Sequence, residues 1–145
     1  MKIENREQTM VLLASASFGK SAFAAQLVEE EMKEDIVAFH ICSNEIDSNL
    51  DPEKFVEGLV VSLAKNISGF TANLLKLVEL QVESNLEEPL FNQKNLDHFN
   101  DFLKKKRKKP QVIIHEFILV ALKCLGAKDG KVKLVVVDSL DEAAL

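Results

Sequence analysis

The sequence predicts an α/β domain of three layers, about three parallel strands flanked by helices, and two observations carry that prediction. Residues 9–14, 36–42 (IVAFHIC) and 134–137 (LVVV) are short apolar runs bounded by small or polar residues, the pattern of strands covered on both faces. Helical periodicities separate these runs. Strand and helix therefore alternate, starting with strand, loop, helix, strand, the unit that builds a parallel sheet through right-handed crossovers.

The bulk numbers agree with such a domain. A chain of 145 residues suits one domain with a modest core. At 47% hydrophobic and 28% charged, it falls among ordinary soluble globular proteins. The net charge of −5 argues against a general nucleic-acid binder, which needs excess Lys and Arg to neutralise phosphates. The charge is uneven, however. Lys104, Lys105, Lys106, Arg107, Lys108 and Lys109 form a run of six positive charges, and taking these six from −5 leaves −11 on the rest. Cys42 and Cys124 fit no metal-ligand spacing; each sits in an apolar run, where a reduced, buried thiol is expected and a disulfide is the alternative. The opening residues MKIENREQT lack the apolar core of a signal peptide, and no apolar stretch reaches the roughly 18 residues of a membrane span. The expectation is a cytoplasmic protein that does not enter a membrane.

Residues 1–8 read as a flexible lead-in and 9–145 as the domain. After the first apolar run the pattern turns helical at Lys20, with Phe23, Leu27 and Val28 recurring on one face until Lys33. Asp51-Pro52-Glu53 opens a second helix with a capping acid and a proline at the first helical position. Its apolar stripe is Phe55, Leu59, Leu63 and Ile67, with Val56, Val60 and Ala64 beside them. Ser68-Gly69 breaks that helix, and residues 71–82 begin another. Residues 84–95 are irregular, since Pro89 forbids a helix through them. Leu96, Phe99, Phe102 and Leu103 mark a short amphipathic helix running into the basic block. Residues 111–125 are apolar on nearly every side and predict a largely buried helix; GAKDGK then makes a turn before the LVVV strand.

The stretch most informative about function is 10–30, MVLLASASFGKSAFAAQLVEE, answered by KLVVVDSLDE at 133–142. A phosphate-binding loop needs inward-pointing backbone N–H groups, hence tight turns and small side chains, after a strand and before a helix. It also needs a Lys for the outer phosphates and then a hydroxyl for magnesium, with the helix presenting its positive end. Ala14, Ser15, Ala16, Ser17, Phe18, Gly19, Lys20 and Ser21 supply the glycine, the lysine and the hydroxyl in that order. Ala14 stands where the opening glycine of GxxxxGK[ST] belongs, and Ser17 where a second glycine is common. A Cβ at either place narrows the cradle, so weakened rather than abolished binding is expected. At the far strand's end Asp138 is placed to hold magnesium, usually through water, and Asp141 or Glu142 to orient an attacking water. The alternative is plainer: a strand followed by an acidic helix cap, with Asp138 as the cap.

Taken together, the two motifs resemble the NACHT-type domain of the STAND class of P-loop NTPases. The resemblance rests on GKSAFAAQLV, on AFHICSN as a second strand, on LVVVDSLDEA as the Walker B segment, and on the spacing of Ile114-His115-Glu116-Phe117. It spans roughly residues 9–145 and is vague from 68 to 110. It implies a three-layer P-loop sheet flanked by helices, with ATP and Mg2+ as ligands. Lys20 and Ser21 would contact the β- and γ-phosphates and magnesium, Asp138 would complete the metal site, and Asp141 or Glu142 would serve hydrolysis. It implies a slow ATPase that acts as a signalling switch, with protein partners bound through regions outside this chain. A later strand, which in that class lies between the P-loop strand and the Walker B strand, has no counterpart, so the fold is expected to be C-terminally incomplete. The open sheet edge would promote self-association.

The other features carry less. The basic run reads as a solvated loop or frayed helix end, with an import signal or an anionic contact as the alternative. His40, His98 and His115 share no ligand spacing, and His40 reads as a satisfied histidine of the sheet. Two further hypotheses stand beside the ATP-binding switch. One is a non-catalytic interaction scaffold that keeps the fold without the nucleotide. The other is a small-molecule or nucleotide kinase, for which no acceptor site or Arg-rich lid speaks.

Overall fold

The computed structural model describes Val11, Leu13 and residues 19–31, 34–79, 91–125 and 133–144. Within them the chain is mixed α/β and mostly helical, around a two-stranded parallel sheet. Helix α1 (Lys20–Gln26) continues as a π-helical turn, Leu27–Glu31, and leads to strand β1 (Ile36–Ile41). Then come α2 (Pro52–Asn66), α3 (Phe70–Leu77) and α4 (Gln93–Lys106). One further helical rod holds α5 (Pro110–Ile113), a π turn at Ile114–Ile118 and α6 (Leu119–Lys123). Strand β2 (Leu134–Asp138) and a 3-10 turn, Leu140–Ala144, close the described chain.

The two strands pair in parallel from Ile36 opposite Leu134 to Ile41 opposite Asp138. The register shifts between Ile36 and Ala38, so Val37 is an extra residue in β1. Its carbonyl accepts a hydrogen bond from Asn66 Nδ2 at 2.9 Å, which pins the end of α2 to the strand. Asp51 caps α2 as the Asp-Pro pattern predicts, accepting the Glu53 N–H at 2.8 Å. The core joins Val37 to Val56, Val60 and Leu63 of α2, Phe70, Leu74 and Leu75 of α3, and Phe99 and Leu103 of α4; Phe117, Ile118 and Ala121 of the last rod complete it. Asn73 Nδ2 donates to the Ala121 carbonyl at 3.1 Å, tying α3 to that rod.

Several expectations need correcting. Of the predicted strand at 9–14, Val11 and Leu13 are described; neither is in a strand, and they are 68% and 86% exposed. The other residues of that segment lie outside the described ones. An apolar run becomes a strand only when a partner edge takes its backbone groups, and composition does not reveal that partner. Among the described residues the sheet has two strands, where about three were expected. Strand β2 is not covered on both faces either. Leu134 and Val136 are half-buried, whereas Val135 and Val137 are 47% and 38% exposed. Helix α3 ends at Leu77, and Glu79 takes a positive φ of 59°; the rest of the predicted helix to Val82 lies outside the described residues. Phe23, placed on the buried face of α1, is exposed, and Ala24 is buried instead. Cys42 is buried as expected but Cys124 is exposed, and both are free thiols.

The basic run divides between the end of a helix and the loop after it. Lys104, Lys105 and Lys106 form the last turn of α4, where cations favour the helix dipole. Arg107 adopts the left-handed conformation, φ 49°. The Arg107 N–H donates to the Lys104 carbonyl and the Lys108 N–H to the Leu103 carbonyl, a Schellman close with arginine in glycine's usual place. Lys108 Nζ then pairs with Glu116 Oε2 at 2.6 Å.

Candidate functional site

The first half of the predicted site begins at Gly19. It is the N-cap of α1 with φ 76°, a left-handed conformation that glycine adopts without strain. An added Cβ would meet nothing within 4 Å, so the demand for glycine is conformational rather than steric. Lys20 and Ser21 follow as the first residues of α1; Lys20 is half-buried and Ser21 exposed. Among the described residues no side chain caps this helix start. Ala14, Ser15, Ala16, Ser17 and Phe18 lie outside the described residues.

The second half is at the carboxyl end of β2. Asp138 is the last strand residue, paired with Ile41, and its carbonyl accepts the Cys42 N–H at 3.0 Å. Its Oδ1 accepts the Ser139 N–H at 2.9 Å. Ser139 has φ 57°, a left-handed turn that folds the chain back into the 3-10 turn, where the Glu142 N–H donates to the Ser139 carbonyl at 2.9 Å. Glu142 Oε2 then accepts the Asn44 N–H at 2.8 Å, across 98 residues of sequence. Asp141 is exposed. Asp138, Asp141 and Glu142 are thus gathered beside Cys42 and Asn44 at one end of the sheet. Burial pushes the Cys42 thiol above its ordinary range, and the charges of Glu142, Asp138 and Asp141 push it further.

The two halves are linked through α1, which lies against β2. Among the described residues no group of three or more His, Cys, Asp or Glu side chains could hold a metal ion. Magnesium does not require one. It keeps several waters and takes one or two protein oxygens together with phosphate oxygens. The Ser21 hydroxyl and the Asp138 carboxylate are oxygen donors of the right hardness for that role, though Asp138 already serves Ser139 with one oxygen.

Sequence reasoning missed Asn44. It lies in a polar loop after β1, and only its backbone N–H is used, so no side-chain pattern could have singled it out. His40 is the satisfied histidine expected: Nε2 donates to the Asn49 carbonyl at 2.9 Å, and the ring meets Phe55 edge-on at 4.9 Å. A shallow cleft of about 80 Å³ lies between β1 and α2, lined by His40, Phe55, Gly58, Leu59, Ser62 and Val135 among others. It is well below the roughly 300 Å³ at which small-molecule pockets begin. Among the described residues no helix is long and apolar enough to cross a membrane. In comparisons with known proteins, the chain matches no family model, no curated protein and no solved structure.

Proposed function

We propose that the chain binds ATP with Mg2+ at a site shared by α1, which opens with Lys20 and Ser21, and β2, which ends in Asp138, as a NACHT-like switch module with slow hydrolysis. The observation that carries this reading is one adjacency. A helix opened by a left-handed Gly19 and then Lys20-Ser21 lies against a strand that ends in Asp138. Lys20 and the N–H groups of the first helical turn would meet phosphate oxygens; Ser21 and Asp138 would take the metal; Asp141 or Glu142 would hold a water. Bound magnesium would supply charge neutralisation on the phosphate oxygens. Ala14 to Phe18, small residues apart from Phe18, would form the cradle, and Ala14 and Ser17 predict weak affinity. Sensing or scaffolding partners would be contacted through regions outside this chain.

A second reading, an interaction scaffold of the same chain without nucleotide, is favoured by one specific observation. Asp138 and Glu142 each spend a carboxylate oxygen on a backbone N–H, as structural caps do. Thermal unfolding of the full chain with a non-hydrolysable ATP analogue separates the two. At a hundred times the Kd, stabilisation of about 2.7 kcal/mol is expected. It should require Mg2+ and vanish in Lys20→Ala. Identical unfolding with and without the analogue would overturn the nucleotide reading and leave the scaffold.

A further inference from the structure

We propose that Glu142 is a positioning residue, the latch that holds the loop at 43–50 against the end of the sheet, rather than the residue that acts on water. Three features build the latch. The sheet ladder ends with the Cys42 N–H on the Asp138 carbonyl, so among the described residues no ladder bond holds the β1 side beyond Cys42. Ser139, held left-handed, reverses the chain, and the following 3-10 turn carries Glu142 back toward β1. Its Oε2 then accepts the Asn44 N–H at 2.8 Å, extending the contact between the two strand ends past the last pair of the sheet. A carboxylate accepting a backbone N–H forms a charge-assisted bond, stronger than a neutral one.

Asp141 has a different place. It is exposed on the same 3-10 turn, and among the described residues no hydrogen bond engages its carboxylate. If the site takes a nucleotide, which is the reading above, Asp141 is the acid placed to face solvent while Glu142 shapes the loop beside it. The latch itself needs no nucleotide, so it is tested without one.

Amide hydrogen exchange at Asn44 in the nucleotide-free full chain is the measurement. Glu142→Ala is expected to speed exchange at Asn44 by about fivefold or more, the scale of one lost hydrogen bond. Glu142→Gln keeps an acceptor oxygen at the same reach and should restore most of the protection, while Asp141→Ala should change it little. Protection at Phe99, in the core, reports whether a variant has loosened globally. Should Glu142→Ala do so, Glu142→Asp decides, because its side chain is one methylene too short and should free Asn44 alone. Unchanged exchange in Glu142→Ala, or an equal rise in Asp141→Ala, overturns the latch whatever the nucleotide experiment gives.

Discussion

The helical half of this molecule and its sheet end are built to different standards. In the helical half Val60, Phe70, Leu74, Phe99 and Ala121 are fully enclosed, and each element covers its neighbour's apolar stripe. At the sheet end Ile41, Val135, Val137 and Leu140 remain 38% to 63% exposed, and beyond the ladder the strand ends are joined by the Cys42 N–H on the Asp138 carbonyl and the Asn44 N–H on the Glu142 carboxylate. Burial of apolar area stabilises by roughly 25 cal/mol per Å², so most of the stability resides where the candidate site does not. Chemistry-bearing side chains need solvent and freedom to engage a ligand, and a thinly packed edge provides both.

That contrast can be broken by substitution. The largest effect is expected from Phe99→Ala, which empties the centre of the helical core and should cost about 3–5 kcal/mol in denaturant unfolding. A loss below 1 kcal/mol would mean that α4 is not integral to the core. Gly69→Ala comes next. It forces an L-residue into φ 81° and brings a Cβ to 2.7 Å from Leu125 Cδ2, for an expected loss of about 1–3 kcal/mol. The flexible tip of Leu125 can move aside, so the backbone strain sets the floor.

Gly58→Ala should act in the opposite direction. Gly58 lies inside α2 with open space where its Cβ would go, so alanine is expected to stabilise by about 0.5–1 kcal/mol, read as a higher midpoint at constant slope. Destabilisation there would show that the adjoining cleft is more tightly closed than its lining suggests. The smallest effect belongs to Val137→Thr on the exposed face of β2, expected within about 0.5 kcal/mol of the parent. A loss as large as that of Gly69→Ala would show that this face is covered in solution, and the contrast between the two halves would fail.

How legible each part was depends on how local its cause is. Asp51-Pro52 announced α2 because capping acts within one turn, and Asp51 does accept the Glu53 N–H. The stripe Phe55, Leu59, Leu63 and Ile67 was readable because helical period and burial coincide, although the structure centres it on Val56, Val60 and Leu63 and leaves Phe55, Leu59 and Ile67 partly buried. LVVV was correctly a strand, yet its run of four apolar residues suggested two covered faces, and only one is half-covered. The segment at 9–14 misled in the same way at Val11 and Leu13, since its apolar character says nothing about a partner edge. Within the basic run the point where helix gives way to loop was not readable, because it is set by the left-handed close at Arg107. Asp138, Asp141 and Glu142 were visible as an acidic cluster, but the division of labour among them was not.

By itself, then, the sequence determined α2 with its cap and buried stripe, the strands at 36–41 and 134–138, and the residue types available for phosphate and metal. These follow from interactions within a turn or a strand, which a short window of residues contains. Tertiary structure alone decided that α1 lies against β2, that β2 keeps one face open, and that Glu142 reaches Asn44 across 98 residues. Such contacts arise from how distant elements pack, and no local pattern encodes which carboxylate will find which backbone N–H.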